Sequence, residues 1–372
     1  MLPRPFTSHF SRSHVMPLAC LVVALTLQIG GSRIEHSGTS VFVAVSVLAI
    51  GLVLSTVFVV LQHAEFIAHH IGEPYGTLVL TFSVTTIEVS IIVSMMLHGA
   101  NNPTLARESV FSTVMIVCCG VVGICLTLGG WRHHYQDIKK QGTDAFLAIL
   151  IALTVLTMVL PNFTLTTGPG TFSATQLAFV SVLSVFLYGS FLFAQTVSQK
   201  QDFLDELVGD TAKEGHSTAS TGLAVHFILL ILGLIGIVLL TKQVAAGVED
   251  GLQLLHVAQT DSIVGALIAL VVLMPEAVSA IKASLANQLQ RGLNIALGSA
   301  CATIGMTIPA VAIASLISGR GLTLGLNPGD TVLMLLALVI SLVSFGTGRT
   351  TFLAGITHLV VFLAFVLLTA IP

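Results

Sequence analysis

The chain has 372 residues, of which 8% are charged and 55% hydrophobic, with a mean hydropathy of +0.99. An average soluble domain carries about 25% charged residues; this composition excludes one, because no soluble interior could hide so much apolar side chain and lipid must act as part of the solvent. The formal net charge of −3, with no basic patch interleaved with aromatics, gives no sign of a nucleic-acid binder.

A spanning helix needs roughly 20 apolar residues. Eleven runs qualify, at about 15–30, 40–62, 76–97, 108–129, 144–161, 175–196, 221–241, 262–285, 292–318, 330–346 and 350–371. They are too long and too uniformly apolar for the alternating strands of a membrane barrel. The expected fold class is therefore an all-α polytopic membrane protein. Arg4 and Arg12 precede the first run as in a signal peptide, but no A-x-A site follows, which favours an uncleaved first helix. The cysteines, Cys20, Cys118, Cys119, Cys125 and Cys301, all lie in apolar runs without a CxxC pair and read as small buried hydrophobes.

Lysine and arginine placement sets the orientation. With the N-terminus cytoplasmic, Arg4, Arg12, Arg132, Lys139, Lys140, Lys200, Lys213, Lys282, Arg291 and Arg349 fall inside, and Arg33, Arg107, Lys242 and Arg320 outside. Eleven spans then leave the C-terminus periplasmic. The most polar loop, "SQKQDFLDELVGDTAKEGHSTAST", carries Asp202, Asp205, Glu206, Asp210 and Glu214 and parts six spans from five. It reads as a solvated linker or as a cytoplasmic cation-sensing segment. The expected organisation is an N-terminal segment with the first helix (1–38), a first half (39–197), this acidic linker (198–220) and a second half (221–372).

The halves carry a repeat. Glu88, in "VTTIEVSIIVSMML", and Glu276, in "LVVLMPEAVSAIKASL", each follow a long apolar run. Each is followed by a polar break and an arginine opening the next helix: Arg107 in "LARESVFSTVMI", Arg291 in "LQRGLNIALGSA". Five spans per copy is odd, so the copies enter the membrane from opposite sides. Inverted repeats mark secondary transporters, whose sites lie near the midplane.

Glu88 and Glu276 both fall about halfway through their helices. An isolated carboxylate at that depth costs at least about 2.5–3.5 kcal/mol. The cost falls when a cation or a proton neutralises it, so each ligand's entry displaces the other, which is the physical basis of cation/proton exchange. Oxygen ligands lie near in sequence. Thr85 and Thr86 precede Glu88; Asn294, Ser299 and Thr303 lie on the helix after Glu276; Pro275 lacks an N–H and so breaks the backbone ladder, freeing the carbonyl near Val271. Carboxylate, carbonyl and hydroxyl oxygens are what Ca2+ prefers, and Na+ uses the same types.

The segments "AHHIGEPYGTLVLTFSVTTIEVSIIVSMMLHGANNPTLARESVFSTVMI" and "VVLMPEAVSAIKASLANQLQRGLNIALGSACATIGMTIPAVA" resemble the two α-repeats of bacterial calcium/proton antiporters, in the proton-coupled, CAX-like branch of the cation/calcium exchanger superfamily. The resemblance covers essentially the whole chain and implies a sodium/calcium exchanger-like fold, one helix plus two inverted five-helix repeats. It implies that Glu88 and Glu276 bind cation and proton in alternation, and that Asn294, Gly298 and Ser299 match the second-repeat "N…GS". The first repeat departs from that pattern, with Val110 and Val114 in the matching places. Bacterial members also exchange Na+ or K+ for protons.

"HAEFIAHHIGEPYG" holds His63, Glu65, His69, His70 and Glu73. It is not the H-E-x-x-H of a metalloprotease. It reads as the polar cytoplasmic end of span 2, or as an entry region where cations are funnelled or protons sensed, with Glu73 beside the site entrance by resemblance. The expected function is secondary antiport of Ca2+ against H+ across a bacterial inner membrane, with Na+/H+ or K+/H+ antiport as alternatives. A cation channel would show a filter motif instead. No hydrolytic centre or prosthetic cofactor is expected; the partners are inorganic cations, protons and lipid.

Overall fold

The structure, a computed structural model, describes residues 9–35, 38–72, 75–98, 102–165, 167–203, 220–254 and 260–371. The long helices are α1 (His9–Glu35), α2 (Gly38–Ile71), α3 (Tyr75–His98), α4 (Leu105–His133), α5 (Lys140–Phe163), α6 (Ala174–Ser198), α7 (Ser220–Leu254), α8 (Thr260–Leu285), α9 (Leu289–Ser318), α10 (Pro328–Phe345) and α11 (Phe352–Ala370). Among the described residues nine stretches are long and apolar enough to cross a membrane, and Val15–Gln28 is a shorter apolar helix. Most helices overrun the apolar runs that announce them, α1, α2 and α7 most of all. Backbone hydrogen bonds keep a helix going past the point where its side chains turn polar. Glu73 and most of the acidic linker, with Asp205, Glu206, Asp210 and Glu214, lie outside the described residues.

The chain packs as two units. The first takes Met1–Ala100 and Ser217–Ala258, hence α1, α2, α3 and α7, with α7 against the other three. Its core is a stripe spaced as helix faces require, Val53, Val57, Val60 and Ala64 on α2 against Leu230 and Ile237 on α7.

The second unit takes Asn101–His216 and Gln259–Pro372, hence α4–α6 and α8–α11. Every residue from Leu105 to Met115 is buried. A helix buried on all sides belongs at the centre of a bundle, and α8, α9, α10 and α11 all pack on α4. The connections sort onto two faces. On one, strands β1 (Tyr135–Asp137) and β2 (Arg349–Thr351) pair antiparallel, Gln136 opposite Thr350. Gln136 Nε2 also donates to the Ser284 carbonyl (3.1 Å), and Gln290 Oε1 accepts from the Lys139 backbone N–H (2.8 Å). On the other face an extended strap before α10 is tied down: Thr323 N–H donates to the Pro103 carbonyl and Leu324 N–H to that of Gly170, both at 2.9 Å. Arg132, Lys139, Lys140, Lys282, Arg291 and Arg349 sit toward the ribbon face; Arg107 and Arg320 sit toward the strap face.

Candidate cation site

Glu276 stands well inside α8, half-buried, 16 residues past Thr260 or about 24 Å at 1.5 Å per residue. The helix runs unbroken through Pro275, because losing one N–H leaves its other hydrogen bonds in place. The Ser299 hydroxyl, buried on α9, donates to Glu276 Oε2. Gly292 lets the two helices close beyond that contact: a Cβ there would stand 2.8 Å from the Ala280 carbonyl oxygen. Thr303, 1% exposed, follows one turn later and opens a π-helical segment, Thr303–Thr307. Such segments interrupt the regular ladder and recur at functional sites.

Of the second-half residues expected beside Glu276, the structure brings Ser299 to it and takes Asn294 elsewhere. Asn294 Nδ2 donates to the Phe203 carbonyl, and its Oδ1 accepts from Gln290 Nε2 at 2.9 Å. Five residues along a helix turn a side chain about 140° away and some 7.5 Å along the axis, so Asn294 ties down the helical turn Lys200–Phe203 instead. Tyr188 on α6 is 4% exposed and packs against the π segment of α9, where a Cβ on Gly305 would stand 2.6 Å from the Tyr188 Cβ. Sequence reasoning passed over it; an isolated tyrosine in "SVFLYGSFLF" was the available signal.

Helix α8 also runs beside α4. Ser262 donates to Glu108 Oε2 (3.0 Å), a Cβ on Gly265 would meet the Ser109 nitrogen at 2.8 Å, and Ser284 donates to the Cys125 carbonyl (2.7 Å). Glu276 thus lies along the stretch where α8 packs on a second π segment, Ile116–Val121 of α4. At the head of α4, Arg107 and Glu108 form a buried ion pair, Arg107 Nε to Glu108 Oε1 at 2.9 Å, and Arg107 Nη1 donates to the strap carbonyl of Gly325 (3.0 Å).

In the first unit Glu88 is 3% exposed on α3, with Thr85 at 2% and Thr86 half-buried. Thr85 and Thr86 donate to the carbonyls of Thr81 (2.9 Å) and Phe82 (2.7 Å), which leaves their oxygen lone pairs as acceptors. His63 on α2 is buried, and its Nδ1 lies 2.8 Å from Nδ1 of His226 on α7, whose ring stacks on Phe66. His226 is a second residue that sequence reasoning missed. Glu65 is exposed.

Long apolar helices, carboxyls well inside two of them (Glu88 buried, Glu276 half-buried) and a carboxylate–hydroxyl contact ahead of a π segment fit a multi-pass membrane cation exchanger. The sequence matches the Sodium/calcium exchanger protein family over residues 38–197 and 225–370, and the chain belongs to that family. It is 41% identical over 97% of its length to y4hA of Sinorhizobium fredii, whose name describes an ionic transporter, covering 96% of that protein. It is 36% identical, over 97% of this chain and 96% of the other, to the sodium-potassium/proton antiporter ChaA of Escherichia coli. Among solved structures it resembles YfkE (TM-score 0.70, 16% identity, 97% of this chain and 100% of the other) and the H+/Ca2+ exchanger CAX (TM-score 0.70, 14% identity, 96% and 89%), likenesses of fold.

Proposed function

We propose that this protein exchanges a cation for protons by alternating access, with Na+ and K+ as its principal cations. The observation that carries the reading is the half-buried Glu276 carboxyl, held by the buried Ser299 hydroxyl on the neighbouring helix just ahead of a π segment. Protonated, Glu276 is neutral and stable in place; ionised, it needs a cation to offset its burial. Glu88, buried at the matching place of the first repeat, is the second exchanging carboxyl. Na+ and K+ are favoured by the antiporter relative at 36% identity. Ca2+ is the second reading, favoured by a set of hard oxygen donors, carboxylate from Glu276 and hydroxyls from Ser299 and Thr303.

The test uses everted membrane vesicles with an imposed pH gradient, adding Na+, K+ or Ca2+ separately. Na+ and K+ are expected to collapse the gradient. Glu276→Gln and Glu88→Gln are each expected to fold and to lose gradient collapse by at least 100-fold. Full transport by either folded Gln variant removes that carboxyl from the mechanism. Collapse by Ca2+ alone would replace the first ion assignment by the second. The apparent KM for the cation should rise as pH falls, because protons then hold the carboxyls and the cation must displace them.

The cation-rich ribbon face of the second unit supports a plasma-membrane orientation with that face cytoplasmic; separately, Arg4 and Arg12 ahead of the first apolar run support a cytoplasmic N-terminus. The inverted-repeat organisation, with 39–197 and 221–372 as its halves, belongs to the same proposal. It is supported by the π segments of α4 and α9, which fall at similar distances after Arg107 and Arg291.

A further inference from the structure

The π segment of α4 disturbs the backbone ladder beside the helix that bears Glu276. Val122 N–H reaches the Val117 carbonyl, five residues back, so the Cys118 carbonyl does not receive the N–H that a regular α-helix would send it from Val122. A buried carbonyl without a donor is costly, more so where no water can reach. The donor comes from the last helix. His358 on α11 is fully buried, and its Nδ1 lies 2.7 Å from the Cys118 carbonyl oxygen. A carbonyl only accepts, so Nδ1 carries the hydrogen. Nε2 lies 3.1 Å from the Ser344 hydroxyl on α10, and the Phe345 ring stacks beside the imidazole. The imidazole is thereby fixed in orientation, and it joins α4, α10 and α11 at one point.

That point is close to the proposed exchange site. Helices α8 and α9 both pack on the same π segment. Beyond the segment, α4 holds α8 again through the Ser284–Cys125 contact. The conformation of the π segment therefore sets the register of α4 against α8 on either side of Glu276.

We propose that His358 is a positioning residue for cation binding: its Nδ1–H caps the Cys118 carbonyl, holds the π segment of α4 in shape, and so fixes the wall against which Glu276 meets its cation. This rests on the assignment of Glu276 as an exchanging carboxyl. His358 touches neither cation nor proton in transit, so its loss should loosen affinity more than it slows turnover.

The experiment compares His358→Leu, which has no donor, with His358→Asn, whose amide N–H stands near the place of Nδ1. Both are assayed as purified full-length protein for size-exclusion profile and, in everted vesicles, for KM and maximal rate with Na+ and K+. The expected result is a KM at least tenfold higher in the Leu variant, with a maximal rate within threefold of wild type, and a KM within threefold of wild type in the Asn variant. A folded Leu variant with wild-type KM overturns the proposal. So does a folded Asn variant with KM raised tenfold, and this holds even where the Leu variant does not fold. Glu276→Gln in the same vesicles separates the two claims. If that variant transports normally, the exchange-site reading fails; if it is inactive while His358→Leu binds like wild type, only the role of His358 falls.

Discussion

Arg107 and Arg291 occupy matching places in the sequence, each opening the helix that follows a glutamate-bearing one, yet their surroundings are opposite. Arg107 is 7% exposed, pairs with Glu108 and reaches the Gly325 carbonyl of the strap. Arg291 is exposed, and its side chain reaches only as far as Gln288 of its own turn, at 3.4 Å. Two copies of a pattern have become an internal tie on one face and a solvated cation on the other. On the proposed inverted-repeat organisation the two copies face opposite sides of a bilayer, and the sides differ in their tolerance of free positive charge. On the strap face the arginine is neutralised by its neighbour; on the ribbon face it adds to a set of exposed cations.

The sharpest way to break this comparison is to remove each arginine. Arg107→Ala leaves Glu108 buried without its ion partner and should cost about 3–5 kcal/mol, read as a fall of the melting temperature in detergent. Arg291→Ala should stay within about 0.5 kcal/mol. Equal losses would mean that the burial of the Arg107–Glu108 pair has no energetic consequence. Next in size is Ser299→Ala, which removes a hydrogen bond to a carboxyl, an interaction of about 1.5–3 kcal/mol. KM for the cation should rise about tenfold with the fold intact, and an unchanged KM would show that the Ser299 hydroxyl does not shape the site. Smaller still is Arg349→Ala. Arg349 Nε lies 2.6 Å from Asp137 Oδ1, but the two side chains are 70% and 77% exposed. A pair so open to water contributes less than about 1 kcal/mol, and chemical denaturation should barely register its loss.

Much of the helix framework was legible because hydrocarbon imposes long apolar runs, and the depth of Glu88 and Glu276 followed from counting residues. Ser299 was named from its hydroxyl on the helix after Glu276 and from the family resemblance. What escaped were features set by hydrogen-bond register and tertiary pairing. Nothing in "MIVCCGVVG" announces a π segment, because its side chains are those of any buried helix. Asn294 carried the right chemistry, but its direction around α9 depends on where the Lys200–Phe203 turn lies. His358, in "ITHLVVFLAF", and His226, in "LAVHFILLIL", were visible as lone polar residues in apolar runs; which groups they meet was not.

The ribbon of β1 and β2 joins residues 135–137 to residues 349–351, near the two ends of the second unit. During synthesis the earlier strand emerges long before its mate exists, so its N–H and C=O edge waits unpaired while over two hundred further residues are made. Unpaired edges invite wrong partners, and contacts this distant in sequence form late. The protein can close this face only when the last connection, between α10 and α11, has arrived, which makes the end of the chain, α11 with its His358, the keystone of assembly.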